Sequence, residues 1–177
     1  MDYVRMIRSR RDIDWSYYLA PGDEAYLQTR IAPDYWYPMD AFARLGMGIL
    51  KEIAGGDMSM VRTWGRASAD DMVERLPDLV TKGDPPRTLR YFASLRSNLF
   101  DFNALQIVAL EERVATVGIA YHMEPLVEEA AAYQTLGFFD RLLELSGASG
   151  VDALFDQRSW TGAPRTVAVL TWTPPPD

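Results

Sequence analysis

Cysteine is missing from this 177-residue chain, histidine occurs once, and lysine stands only at positions 51 and 82. Without cysteine there is no disulfide framework, no thiolate zinc site and no thiol nucleophile. With His122 as the one imidazole, a metal centre would have to rest on carboxylates, and no paired-ligand spacing is present. Long apolar runs are lacking too. No stretch approaches the roughly 18 residues of a membrane span. The start shows no signal-peptide core, so the cytoplasm is the expected compartment. Positive charge is in deficit, 18 basic against 25 acidic residues, for a net charge of -7. An acidic domain repels phosphate backbones, which argues against nucleic acid as a partner. The basic start Arg5, Arg8, Arg10 and Arg11 is a local exception, read most simply as a solvated helix face.

What the chain does have is apolar mass. Apolar residues make up 48%, with five Trp, nine Tyr, seven Phe and eight Met. A chain of this length buries enough surface for a real core, and one domain over 1–177 is expected, with an irregular start at 1–25 and a frayed tail at 173–177. Met1 to Arg11 reads as a short helix. Pro21-Gly22-Asp23 marks a turn, with Asp23 as cap of a helix running through Arg30. From Pro38 the apolar residues Phe42, Leu45, Ile49 and Ile53 fall three or four apart, which predicts a helix ended by Gly55-Gly56. Asp57 caps the next, which carries Val61, Trp64, Met72 and Val73, and whose Gly65 and Ser68 either loosen it or let another element pack close. Pro77 ends or kinks it. A third helix is expected from Arg87 to Asn98.

The period then changes from near 3.6 to 2. Leu105 to Leu110 and Val114 to Met123 alternate around Glu111-Glu112-Arg113, which predicts a β-hairpin with His122 on its second strand. Apolar residues wrap broadly around Val127 to Ser146, the mark of a buried helix. Strands over Val151 to Gln157 and Thr166 to Trp172 follow. Helices first, then an antiparallel sheet of about four strands with one buried helix, is α+β order.

Signals for chemistry are few. The pairs Asp70-Asp71 and Glu128-Glu129 point about 100° apart on a helix and do not converge on one atom. No Gly-x-Ser-x-Gly elbow and no phosphate-binding glycine loop occurs. No cofactor and no enzymatic activity are expected. Aromatic residues exceed what stability alone requires, and apolar pockets with a few polar groups are how proteins hold small organic ligands.

The run Ile31-Ala32-Pro33-Asp34-Tyr35-Trp36-Tyr37-Pro38, then Gly55-Gly56-Asp57, Gly65-Arg66-Ala67-Ser68, Phe100-Asp101-Phe102, Gly137-Phe138-Phe139 and a last strand ending in Trp172, resembles a paralogous family of bacterial domains of unknown function, best known from myxobacteria. That family is similar in outline to the ligand-binding fold of heme-nitric-oxide-binding domains, 4-vinyl-reductase-type (V4R) sensors and TRAPP trafficking subunits. The resemblance implies helices packed on an antiparallel sheet, often with a hydrophobic cavity and often dimeric. Heme-type members use a helical histidine and a Tyr-x-Ser-x-Arg motif. Here the histidine falls on an expected strand, and Tyr91-Phe92-Ala93-Ser94-Leu95-Arg96 has one residue too many.

The expected function is therefore a small-molecule-sensing or regulatory domain with an apolar pocket between helices and sheet. Trp36, Trp64, Tyr91 and Tyr121 are its candidate walls, and Arg66, Arg96 and His122 its candidate polar anchors. The alternative is a protein-interaction module, a homodimer or a subunit of a signalling complex.

Overall fold

A computed structural model describes residues 3–32, 35–95 and 101–174. Six helices come in chain order: α1 (Tyr3–Ser9), α2 (Glu24–Gln28), α3 (Met39–Glu52), α4 (Met58–Arg75), α5 (Pro85–Leu95) and α6 (Pro125–Leu145). The strands are β1 (Leu105–Leu110), β2 (Val114–Ile119), β3 (Ser149–Gln157) and β4 (Thr166–Thr173). They form one antiparallel sheet in the order β1-β2-β4-β3. The architecture is α+β, as the change of period predicts.

One face of the sheet carries the core. Ala115, Val117 and Ile119 of β2, Ala153 of β3, and Ala168 and Leu170 of β4 bury against Leu136, Phe139, Leu142 and Leu143 of α6. Half of these strand residues are alanines, opposite the leucines and Phe139 of the helix. Such alternation of small and large side chains lets a helix sit close on a sheet. A second cluster joins Val4 and Ile7 of α1 to Leu45 and Ile49 of α3 around Trp15.

The α4–α6 crossing is the tightest contact. A Cβ built on Gly65 would lie 1.9 Å from the Gln134 carbonyl oxygen, and one on Gly137 would lie 1.8 Å from that of Arg62. Each glycine thus admits the other helix's backbone, the close neighbour that Gly65 suggests. Ion pairs flank the crossing. Arg62 grips Asp140 through Nε and Nη2 at 2.7 and 3.0 Å and reaches the Ala153 carbonyl at 3.1 Å. Arg66 holds Glu144 at 2.6 Å, and Arg141 holds Asp70 at 2.8 Å.

Some local expectations need correction. The predicted cap Asp23 makes no capping bond, and its helix stops at Gln28. Its carboxylate instead takes Arg44 of α3 bidentately, at 2.6 and 2.9 Å, and the Ala20 N–H at 2.8 Å. A planar guanidinium outcompetes a backbone amide for a carboxylate. Arg8 is exposed, in keeping with the solvated face, and in addition donates to the carbonyls of Tyr26, Leu27 and Thr29 at the end of α2. It satisfies acceptors that the short helix leaves open. Asp57, by contrast, caps α4 through the Ser59 N–H as predicted.

The largest difference lies after β2. The strand stops at Ile119, so Tyr121, His122 and Met123 are in a loop and not on the strand that the alternation predicts. Glu128, buried in the first turns of α6, explains the break. Its two oxygens accept the N–H groups of Tyr121 and Met123, each at 2.9 Å. Drawing the amides on both sides of His122 onto one carboxylate puts His122 at φ 60°, the left-handed region. This is an anion-binding nest filled by the chain's own glutamate.

Candidate functional site

The elements that meet at the sheet's edge leave a cavity of about 380 Å³. One wall is a stripe of α4, Ser68, Met72 and Arg75, spaced four and three apart. The facing wall is a stripe of α6, Ala131, Gln134, Thr135 and Phe138. Residues three and four apart share a helix face, so both walls follow directly from helical geometry. Phe42 of α3, Phe92 of α5 and Leu105 of β1 complete the apolar lining, and Tyr121 reaches in from the loop. Phe92 packs edge-on against Phe139 and tilted against Phe138, with ring centroids 5.3 and 5.2 Å apart.

The polar groups inside are organised. Thr135 spends its hydroxyl proton on the Ala131 carbonyl at 2.9 Å. The Tyr121 hydroxyl, 2.7 Å from the Thr135 oxygen, is therefore the donor of that pair. Burial pushes the Tyr121 phenol up to about 12, with Glu128's charge adding to the rise and the Thr135 bond opposing it. Gln134 accepts a hydrogen bond from the Tyr3 hydroxyl of α1, and the Tyr3 ring stacks on Phe42 at 4.8 Å. Burial also raises the Tyr3 phenol, with Tyr121's proximity adding to it. Both phenols stay neutral at physiological pH and serve as hydrogen-bonding groups.

The seven candidate residues are not brought together. Tyr121 lines the cavity. Trp64 packs behind it, between the α1–α3 cluster and Leu50, Ala54 and Val61. Arg66 is committed to Glu144. Trp36 and Tyr91 are exposed, at 57% and 42%. Arg96 lies outside the described residues. His122 is exposed and faces a separate hollow of about 160 Å³, shared with Trp160 and Arg165. Apart from Tyr121, none of the described lining residues was among the candidates, and the polar and flexible ones that sequence reasoning missed include Ser68, Met72, Arg75, Gln134 and Thr135. Their signal was the helical spacing itself, two polar-and-apolar stripes of like period on α4 and α6.

Among the described residues no group of three or more His, Asp or Glu side chains is placed to hold a metal ion, and no helix is long and apolar enough to cross a membrane.

No protein-family model matches the chain, and no curated protein matches it in sequence. Solved structures do match in fold. A protein from work on heme distortion in the H-NOX family aligns with a TM-score of 0.66 at 11% identity, over 99% of this chain and 93% of its own. An H-NOX protein from S. oneidensis in the Fe(II)NO ligation state gives 0.62 at 11% identity, over 98% and 99%. A variant of that protein in the Fe(II) state gives 0.61 at 12%, over 100% and 98%. At such identities the likeness is one of fold. The myxobacterial-type family gains no support from these comparisons.

Proposed function

We propose that this protein is a ligand-sensing domain that holds a small, mainly apolar organic molecule between α4, α5 and α6, without catalysing a reaction on it. The observation that carries this reading is the cavity of about 380 Å³. Its size falls within the range of small-molecule sites, and its walls are apolar with a few convergent polar groups. The H-NOX neighbours support it by placing the same fold among proteins studied for heme distortion and in iron-ligation states. The reading is of binding alone because the cavity's polar groups are a neutral phenol, an amide, two hydroxyls and a guanidinium, with no nucleophile–base pair among the described lining.

Heme does not fit here. His122 is the chain's one histidine, and it is exposed at the other hollow. The cavity's own tyrosine is hydrogen-bonded to Thr135 and held protonated, a poor iron ligand. Two and four residues beyond Tyr121 stand Met123 and Pro125, so the Tyr-x-Ser-x-Arg spacing is not met there either. The reading is of an organic ligand.

A thermal-shift screen of neutral and charged aliphatic and aromatic compounds tests it. A ligand at 100 times its dissociation constant adds about 2.7 kcal/mol. Ala131→Leu, which fills the cavity from α6, is expected to remove the response. No response from any compound, or an undiminished one in a folded Ala131→Leu protein, overturns the reading.

A second reading, an interaction module, rests on the sheet's uncovered face. Leu154, 60% exposed, stands opposite Val169, and Val108 is 44% exposed beside Gly118. Sedimentation equilibrium tests it, and a monomer at all concentrations, unchanged by Leu154→Asp, removes the homodimer form of it.

A further inference from the structure

We propose that the cavity's occupant is an amphipathic organic acid, a carboxylate on an apolar body of roughly a dozen non-hydrogen atoms, with Arg75 as the residue that selects it. This rests on the reading of the cavity as a ligand site and adds the ligand's chemical class. The size follows from volume. A cavity of about 380 Å³ is roughly a dozen times the ~30 Å³ that a molecule of liquid water occupies.

The charge follows from Arg75. It stands in the last turn of α4, exposed, on the cavity-lining stripe one turn beyond Met72. Its Nε–H donates to the Asp71 carbonyl of its own helix at 3.0 Å, which holds the guanidinium in place. Among the described residues neither Nη group meets a protein acceptor. The other arginines near the α4–α6 crossing are spent, Arg62 on Asp140, Arg66 on Glu144, and Arg141 on Asp70 and Glu144. No acidic side chain is among the described residues that line the cavity, and among them Arg75 is the one that carries a formal charge.

The deeper lining fixes the other end. Phe92, Leu105, Ala131 and Phe138 offer only apolar surface. The Thr135 proton is taken by Ala131, and Gln134's carbonyl by Tyr3. A molecule with a charged group at both ends, or with several hydroxyls, would leave polar groups buried without partners at the inner end. One anionic head at the mouth and an apolar body within match the charge of Arg75 and the apolar surface of the inner lining. The two Nη groups offer the forked geometry that a carboxylate accepts bidentately.

Decanoate and decanamide, equal in heavy-atom count and differing in charge, make the test. In calorimetric titrations of the parent protein at low salt, decanoate is expected to bind five- to tenfold more tightly than decanamide. Added salt should narrow the gap, because a partly exposed ion pair is screened. In Arg75→Gln the two ligands should bind alike. In Arg75→Lys part of the preference should survive. Position 75 is exposed, so these variants fold. Equal affinity for the two ligands in the parent, or a preference that persists in Arg75→Gln, overturns the assignment while leaving the cavity as a ligand site. Failure of both ligands to bind overturns the two together.

Discussion

Gly65 and Gly137 put two physical effects in direct opposition. Alanine is the better helix former by about 1 kcal/mol, so on propensity alone Gly65→Ala and Gly137→Ala should each stabilise the protein. The crossing says otherwise. In Gly65→Ala the added Cβ would start 1.9 Å from the Gln134 oxygen, where ordinary contact begins near 3.4 Å, so the backbones must part by about 1.5 Å. A gap of even 0.5–1 Å forfeits a quarter to a half of the dispersion energy of the facing atoms. Overpacking in a tight core costs about 1–3 kcal/mol, occasionally more. The Arg62–Asp140 and Arg66–Glu144 pairs resist the shift, since they pin the same two helices. With the upper end of that cost, since the clash is backbone on backbone, each variant should lose about 2 kcal/mol after the propensity gain is subtracted, roughly 4–8 °C in Tm for a chain of this size. The double variant should cost less than the sum, because one separation relieves both contacts. Urea denaturation followed by circular dichroism measures all three. A single variant as stable as the parent, or more so, refutes the argument that the helices meet backbone to backbone.

His122→Gly should stabilise by about 0.5–1 kcal/mol, since glycine occupies φ 60° without the Cβ penalty, offset in part by its unfolded-state freedom. A loss of stability instead would mean that the imidazole makes a contact the fold depends on. Asp140→Asn leaves the half-buried Arg62 guanidinium without its carboxylate and should cost about 2–3 kcal/mol, checked by a double-mutant cycle with Arg62→Met. A coupling near zero would show that the pair does not hold α4 on α6. Tyr121, with its folded pKa raised to about 12, favours folding fully below the unfolded value near 10, and this contribution fades as pH rises from 10 to 12. Difference titration of the parent against Tyr121→Phe should show one phenol ionising late, and an ordinary midpoint near 10 would place the ring in water. Asp23 works in the other direction. Arg44 holds its carboxyl below the usual range, so its stabilisation is present above about 4 and is lost as pH falls through the folded value. Asp23→Asn should flatten the acid limb of the stability curve, and an unchanged limb would assign it elsewhere.

Much of the architecture was legible because it rests on local rules. The 3.6-residue stripes of α3, α4 and α6, the Asp57 cap, the hairpin turn and the α+β order are each written in neighbouring residues. Where distant residues intervened, local rules failed. Alternation ran on to Met123, but Glu128, a turn into the next helix, drew the backbone off the strand at Ala120. Asp23 had the spacing of a cap, yet Arg44, twenty-one positions along, took its carboxylate.

The candidate site divides along the same line. Composition marked an aromatic surplus and the lack of cysteine and of a second histidine, which disfavours thiolate and imidazole metal sites in any fold. It also picked out Tyr121. It did not separate Trp64, packed behind the cavity, from Phe42 and Phe92, which line it, because large apolar side chains look alike until their neighbours are known. Nor did it rank the arginines. Arg66 and Arg75 lie nine positions apart on one helix, and only the position of Glu144 on α6 decides that the first is neutralised and the second is left facing the cavity. Periodicity is a property of adjacent residues and survives without a fold. Partnership between charges, and the space left between helices, exist only once the chain has closed on itself.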